Sequence, residues 1–226
     1  MSEAEPQPCH LQVVRTARYY QLGPTDGGVQ ELWFVLHGYG QLASYFIKHF
    51  QPLENGKRRI VAPEALSRFY LDGVSGRVGA SWMTREDRLA EIDDYVRYLD
   101  AVYQAVTVPS GQTQPPLTVL GFSQGTATAC RWLDRSRVPC ERLILWAGRI
   151  PPDLDLERAD SPFRKMRVTL VIGSTDEFAT PQVLAEEETR LRAFGIAYEL
   201  RRFQGGHEMH RPTLLRLVSE APQRAE

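Results

Sequence analysis

The stretch Leu117-Thr118-Val119-Leu120-Gly121-Phe122-Ser123-Gln124-Gly125-Thr126-Ala127-Thr128-Ala129 decides how the rest of the chain is read. Four strand formers lead into a tight Gly-x-Ser-x-Gly, and small helix formers follow it. Three fixed positions of this kind arise by chance roughly 0.1 times in a chain of this length, so the pattern alone says little. Its context says more. A strand that turns sharply into a helix pushes the intervening serine hydroxyl into the open. It also crowds the neighbouring backbone, leaving little room for a Cβ at Gly121 or Gly125.

A serine hydroxyl is a weak nucleophile alone, so a reactive Ser123 requires a histidine base and a carboxylate to hold that base, in the chain order Ser, Asp, His. Of the five histidines, His10 lies near the start, while His37 and His49 precede the serine. Only His207 and His210 follow it. His207 sits in Gln204-Gly205-Gly206-His207-Glu208, a glycine-rich loop directly after a strand-like run. His210 falls at the expected start of the terminal helix. For the carboxylate, Asp176 in Ile172-Gly173-Ser174-Thr175-Asp176-Glu177-Phe178 is preferred over its neighbour Glu177, because a short side chain in a strand-end loop suits a fixed bond to an imidazole Nδ1.

Each residue alone reads blandly, as a loop serine, a turn-capping Asp or a surface His. Together they stand in the required order, each just after a predicted strand, where open α/β sheets place their ligand sites. The same chemistry needs two backbone donors for the oxyanion of a tetrahedral intermediate. The amide of Gln124 follows the serine and supplies one. The second is assigned to the Tyr39 amide in Val35-Leu36-His37-Gly38-Tyr39-Gly40, where glycines let backbone approach a ligand.

Outside these loops, strand-like runs at 59–62, 117–120, 143–146, 168–172 and 198–200 alternate with longer helical ones, which predicts parallel strands joined by crossover helices. Residues 11–22 are rich in β-branched and aromatic residues. The turn formers Gly23-Pro24-Thr25-Asp26-Gly27-Gly28 and the apolar run Leu32-Trp33-Phe34-Val35-Leu36 come next, and the whole reads as an antiparallel hairpin entering the sheet. Leu89, Ile92, Val96, Leu99, Val102, Tyr103 and Val106 predict a helix over about 86–106, capped by Thr84. Thr180-Pro181 opens another helix, with Leu184, Thr189, Leu191 and Phe194 along it, and Gly195 ends it. The fold expected is α/β: a mostly parallel sheet with an antiparallel N-terminal strand and helices on both faces. One domain is expected over 10–220, with frayed ends at 1–9 and 221–226.

With 226 residues and a formal net charge of -1, the chain has no long-range field to attract a polyanion, so nucleic acid is not an expected partner. No apolar run is long enough for a membrane span and the start carries no targeting signal, so a cytoplasmic location is expected. Three cysteines without C-x-x-C spacing read as free thiols. His207-Glu208-Met209-His210 is not the H-E-x-x-H zinc pattern. The aromatic residues Phe69, Tyr70 and Trp82 read either as core or as the lining of an acyl pocket.

Four pieces carry a family resemblance: His37-Gly38-Tyr39-Gly40, Gly121-Phe122-Ser123-Gln124-Gly125, Gly173-Ser174-Thr175-Asp176 and Gly206-His207-Glu208. Over about residues 32–218 the chain resembles the small carboxylesterase/phospholipase group of α/β-hydrolases, which includes the acyl-protein thioesterases. The resemblance implies Ser123 as nucleophile, His207 as general base then acid, Asp176 as its orienter, and the Tyr39 and Gln124 amides as oxyanion hole. It implies no metal or organic cofactor and a small-molecule ester or thioester substrate. Two departures stand out: Gln41 occupies a position that is commonly acidic in that group, and residues 64–88 match it poorly. That segment is expected to shape substrate access. The short stretch 148–165, with Pro151-Pro152, argues against a large cap domain and for an open cleft. Carboxylic ester hydrolysis is the expected function, with lysophospholipase or acyl-protein thioesterase activity as alternatives. A non-catalytic binding module on the same fold is the contrasting reading.

Overall fold

The computed structural model describes residues 5–26, 28–107, 114–136 and 138–219. Strand β1 (Tyr19–Leu22) leads to β2 (Glu31–Leu36), and a short helix α1 (Ala43–Phe46) runs on as the 3₁₀ segment Ile47–Leu53. Strand β3 (Arg58–Pro63), the strands β4 (Ser67–Tyr70) and β5 (Val78–Ser81), and helix α2 (Arg88–Val106) follow. The second half alternates strands with helices except between β7 and β8: β6 (Leu117–Phe122), α3 (Gln124–Arg135), β7 (Arg142–Trp146), β8 (Arg167–Gly173), α4 (Pro181–Ala193), β9 (Tyr198–Phe203) and α5 (Arg211–Ser219). Between β7 and β8 there is a single 3₁₀ turn, Pro162–Arg164, and no inserted cap.

The main sheet has seven strands in the order β1-β3-β2-β6-β7-β8-β9. All neighbours from β3 to β9 pair parallel, and β1 alone is antiparallel. Alternate residues of β2 divide between the two faces, because strand side chains point up and down in turn. Leu32, Phe34 and Leu36 pack with Ile92, Leu99 and Val102 of α2, Trp132 of α3 and Leu184 and Leu191 of α4. Trp33 and Val35 pack with Phe46 of α1, Phe50 of the 3₁₀ segment, and Leu214 and Leu217 of α5. Burial on both faces explains why these strands read as continuous apolar runs. No helix among the described residues is long and apolar enough to cross a membrane.

The N-terminal hairpin expectation needs correcting. The antiparallel strand is there, but it is short and pairs with β3, Tyr19 opposite Pro63 and Leu22 opposite Ile60, rather than with β2. Burial pattern explains the choice: β1 alternates exposed with half-buried residues and suits an edge, whereas β2 is apolar on both sides and needs a neighbour on each. Residues 5–18 form no regular element and are mostly exposed, while 1–4 and 220–226 of the expected frayed ends lie outside the described residues.

Helix α2 begins two residues later than expected, and Thr84 caps a turn instead, its Oγ1 accepting the Glu86 amide while its own amide donates to Glu91. Leu89 is 63% exposed and stands outside the buried stripe, which Tyr95 joins. In α4, Thr180 caps through the Val183 amide with Pro181 behind it, as expected, but the buried stripe includes Glu187 rather than Thr189. Glu187 is tolerated there because it accepts from the Ile150 amide and pairs with Arg190. Cys130 is fully buried and Cys140 partly so.

Candidate active site

Ser123 forms the turn between β6 and α3, with φ 53° and ψ -117°, a conformation that costs a non-glycine residue about 1–3 kcal/mol and therefore has to be held. It is held by its amide donating to Trp146 O at 2.9 Å, and by its carbonyl accepting from the Thr126 amide and hydroxyl at 2.9 and 2.7 Å. The flanking glycines are a steric necessity. A Cβ on Gly121 would lie 2.3 Å from Gly125 O, and one on Gly125 would lie 2.2 Å from Leu36 O. Strand β6 can pass so close to the start of α3, and α3 to the end of β2, only without those atoms.

The Asp176 and His207 loops leave adjacent strands, β8 and β9, and are laced together. Ser174 N donates to Phe203 O at 2.9 Å and Thr175 N to Gly205 O at 3.0 Å, while a Cβ on Gly173 would meet the carbonyls of Gly205 and Gly206 at 2.4 Å. The carboxylate of Asp176 is buried, and one of its oxygens accepts from the amides of Phe178 and Ala179 at 2.9 and 3.0 Å. Its oxygens lie 3.1 and 3.0 Å from His207 Nδ1. Nδ1 therefore carries the proton, which leaves Nε2 as acceptor for the Ser123 hydroxyl, 2.8 Å away. Ser123, His207 and Asp176 thus form one hydrogen-bonded row. The imidazole remains partly open to solvent, with the buried ring of Phe122 at 5.1 Å and the exposed ring of Phe178 at 4.8 Å.

The rival residues are elsewhere. Glu177 is exposed. His210 bonds Thr213 Oγ1 through Nδ1 and stacks on Phe203.

The loop after β2 lies against the serine: a Cβ on Gly38 would be 3.2 Å from Ser123 Cβ. Both ends of Gly38 are tied, its amide donating to Gln41 Oε1 at 2.8 Å and its carbonyl accepting from His37 Nδ1 at 2.7 Å. His37 Nε2 accepts the Ala65 amide at 3.1 Å, so this buried ring is neutral, and burial pulls its pKa down to about 4. Among the described residues, neither the Tyr39 nor the Gln124 amide has an acceptor. These are the two donors expected from the sequence.

Sequence reasoning missed three supports. His37 holds the Gly38 carbonyl, Gln41 holds the Gly38 amide, and the Gln124 side chain reaches out to the segment after β5. Its Oε1 accepts the Trp82 amide at 3.0 Å and its Nε2 donates to Met83 O at 2.7 Å. The position of Gln124 next to Ser123 was visible, but its contact partner 42 residues away was not. Among the expected pocket aromatics, Trp82 is buried against the site loop with Nε1 donating to His37 O, Tyr70 is exposed, and Phe69 lies beside the same loop, its ring 5.2 Å from that of Tyr39.

No protein-family model matches the sequence, and no curated protein matches it either. Solved structures do. The esterase PE8 is 21% identical with a TM-score of 0.67, over 91% of this chain and 99% of that one. The acyl-protein thioesterase 2 of Zea mays is 18% identical with a TM-score of 0.68, over 89% and 96%. A carboxylesterase from Mesorhizobium loti is 18% identical with a TM-score of 0.66, over 91% and 95%. Identities this low speak to architecture alone, and with the parallel sheet and its uncapped top they show that this chain has the α/β-hydrolase fold.

Proposed function

We propose that this protein is a serine hydrolase that cleaves carboxylic esters through an acyl-enzyme on Ser123. The observation that carries the reading is the row in which His207 Nε2 lies 2.8 Å from Ser123 Oγ while Nδ1 lies 3.0 Å from a buried Asp176 oxygen. A hydroxyl so placed can pass its proton to Nε2 as Oγ attacks a carbonyl carbon, and the carboxylate steadies the imidazolium that results. The Tyr39 and Gln124 amides take the oxyanion. The C–O bond to the alcohol then breaks, and the proton on Nε2 goes to the departing oxygen. Water, deprotonated by the same Nε2, attacks the acyl carbon and releases the acid, returning the proton to Ser123.

The names of the structural neighbours, esterase, carboxylesterase and acyl-protein thioesterase, fit this reading. A thioester would pass through the same acyl-enzyme, with a thiol departing instead of an alcohol. Small-molecule esters or thioesters are the proposed substrates. Replacing Ser123 by Ala is expected to lower turnover of p-nitrophenyl butyrate by about a thousandfold or more, with the fold intact by circular dichroism. A pure Ser123→Ala protein with undiminished turnover would remove the serine from the mechanism. If the wild type itself neither turns over esters nor is labelled by a fluorophosphonate, the chain is a binding module.

A further inference from the structure

Phe178 is 66% exposed, and its one ring contact among the described residues is with His207. A ring that leaves most of its surface in water contributes little by burial. Its placement is nevertheless determined: the Phe178 and Ala179 amides both bind Asp176 Oδ1, so the turn that anchors the carboxylate also stands the ring beside the imidazole. The other ring in contact with His207 is that of Phe122, 5.1 Å away and buried.

The chemistry of the proposed reaction gives that exposed ring a use. The departing oxygen or sulfur must meet His207 Nε2, because that nitrogen returns the proton to it. The carbonyl oxygen is directed to the Tyr39 and Gln124 amides. The group attached to the departing atom then leaves past the imidazole, and of the two rings beside it the buried Phe122 is out of reach while the exposed Phe178 is available.

Resting on the acyl-enzyme reading above, we propose that Phe178 forms the subsite for the departing alcohol or thiol, and that this subsite selects apolar, ring-bearing leaving groups. The bond that breaks lies between the acyl carbon and the departing atom, so Phe178 touches the substrate only until the acyl-enzyme forms. Its effect therefore belongs to acylation. An alternative, that Phe178 merely steadies His207, would slow both halves of the reaction alike, because His207 serves both.

The test compares benzyl acetate with ethyl acetate, two esters of one acid whose alcohols are of similar acidity, in the wild type, Phe178→Ala and Phe178→Leu. The wild type is expected to prefer the benzyl ester, and Phe178→Ala to reduce that preference about tenfold. Phe178→Leu keeps an apolar contact and should fall between. Steady-state acid release from the common acetyl-enzyme, formed in a p-nitrophenyl acetate burst, should change less than about twofold in either variant. An unchanged benzyl-to-ethyl ratio overturns the proposal, as does an equal loss with both esters accompanied by slower acid release. Turnover that Ser123→Ala leaves undiminished would instead refute the acyl-enzyme reading, and this proposal with it.

Discussion

Gly38 is tied at its amide by Gln41 and at its carbonyl by His37. In a trans peptide the C=O of one residue and the N–H of the next point in opposite directions, so fixing the Gly38 carbonyl also aims the Tyr39 amide. Gln41 stands at a position commonly acidic in the hydrolases whose motifs this sequence resembles, and what the Gly38 amide uses there is an acceptor oxygen, which amide and carboxylate both possess. Gln41→Leu removes it. We expect kcat to fall about tenfold with KM nearly unchanged, because the donor is used mainly in the transition state. Gln41→Glu should retain most activity. Gly125→Ala is a harsher test, since the new Cβ would fall 2.2 Å from Leu36 O, and a loss of about 3 kcal/mol or more in urea unfolding is expected. Ser123, Asp176 and His207 were legible in the sequence because each stands in a short glycine-marked loop after an apolar run. His37 was not, because its neighbours Ala65 and Trp82 come from a segment whose path the sequence does not reveal.

That segment is the least legible part at the scale of elements. Strands β4 and β5 form a small antiparallel pair, Ser67 opposite Ser81 and Tyr70 opposite Val78, that stands apart from the main sheet. Its backbone nevertheless touches the site, with the Gly40 amide donating to Ala80 O and the Ala80 amide to Gln41 O. A Cβ on Gly79 would be 2.5 Å from Gly40 O, so the hairpin lies directly on the loop that carries Tyr39. Alternation over four residues is too short to distinguish such a hairpin from a loop, whereas α2 repeats its apolar spacing through five turns. The β1 error has a related cause: a dense turn invites a hairpin reading, and only the two-sided burial of β2 excludes it. Gln124 fastens the hairpin's exit through Trp82 and Met83. Gln124→Leu leaves its own amide in place but strands that buried pair, at a cost of about 1–3 kcal/mol. Faster hydrogen exchange over residues 78–83 is the expected readout, and unchanged exchange would show that the bonds do not hold the hairpin.

For the whole molecule, the alternation of apolar strands with amphipathic helices made the parallel sheet legible, since parallel neighbours are usually joined through a helix and each inner strand needs two apolar faces, although β7 and β8 are joined with only a 3₁₀ turn between them. The buried His37 adds a stability term that the sequence could not reveal. Its folded pKa is about 4, against 6.5 unperturbed, with burial dominant and the Gly38 carbonyl and Glu64 opposing it. Between those values the unfolded chain binds a proton that the folded chain does not, so stability falls as pH falls. The term is fully present above about pH 6.5 and has cost about 3 kcal/mol by pH 4. Urea midpoints measured between pH 7 and pH 4.5 should drop in the wild type, and the drop should be shallower in His37→Gln. Equal slopes would mean that other groups set the acid limit.

The central claim is that an acyl group resides on Ser123 during turnover. Acid-quenching a reaction with p-nitrophenyl butyrate and mapping the peptides by mass spectrometry tests it directly. A butyryl group is expected on the Ser123 peptide in the wild type, with a sharp fall in the rate of its formation in His207→Ala. An acyl group on another residue, with full turnover by Ser123→Ala, would contradict it.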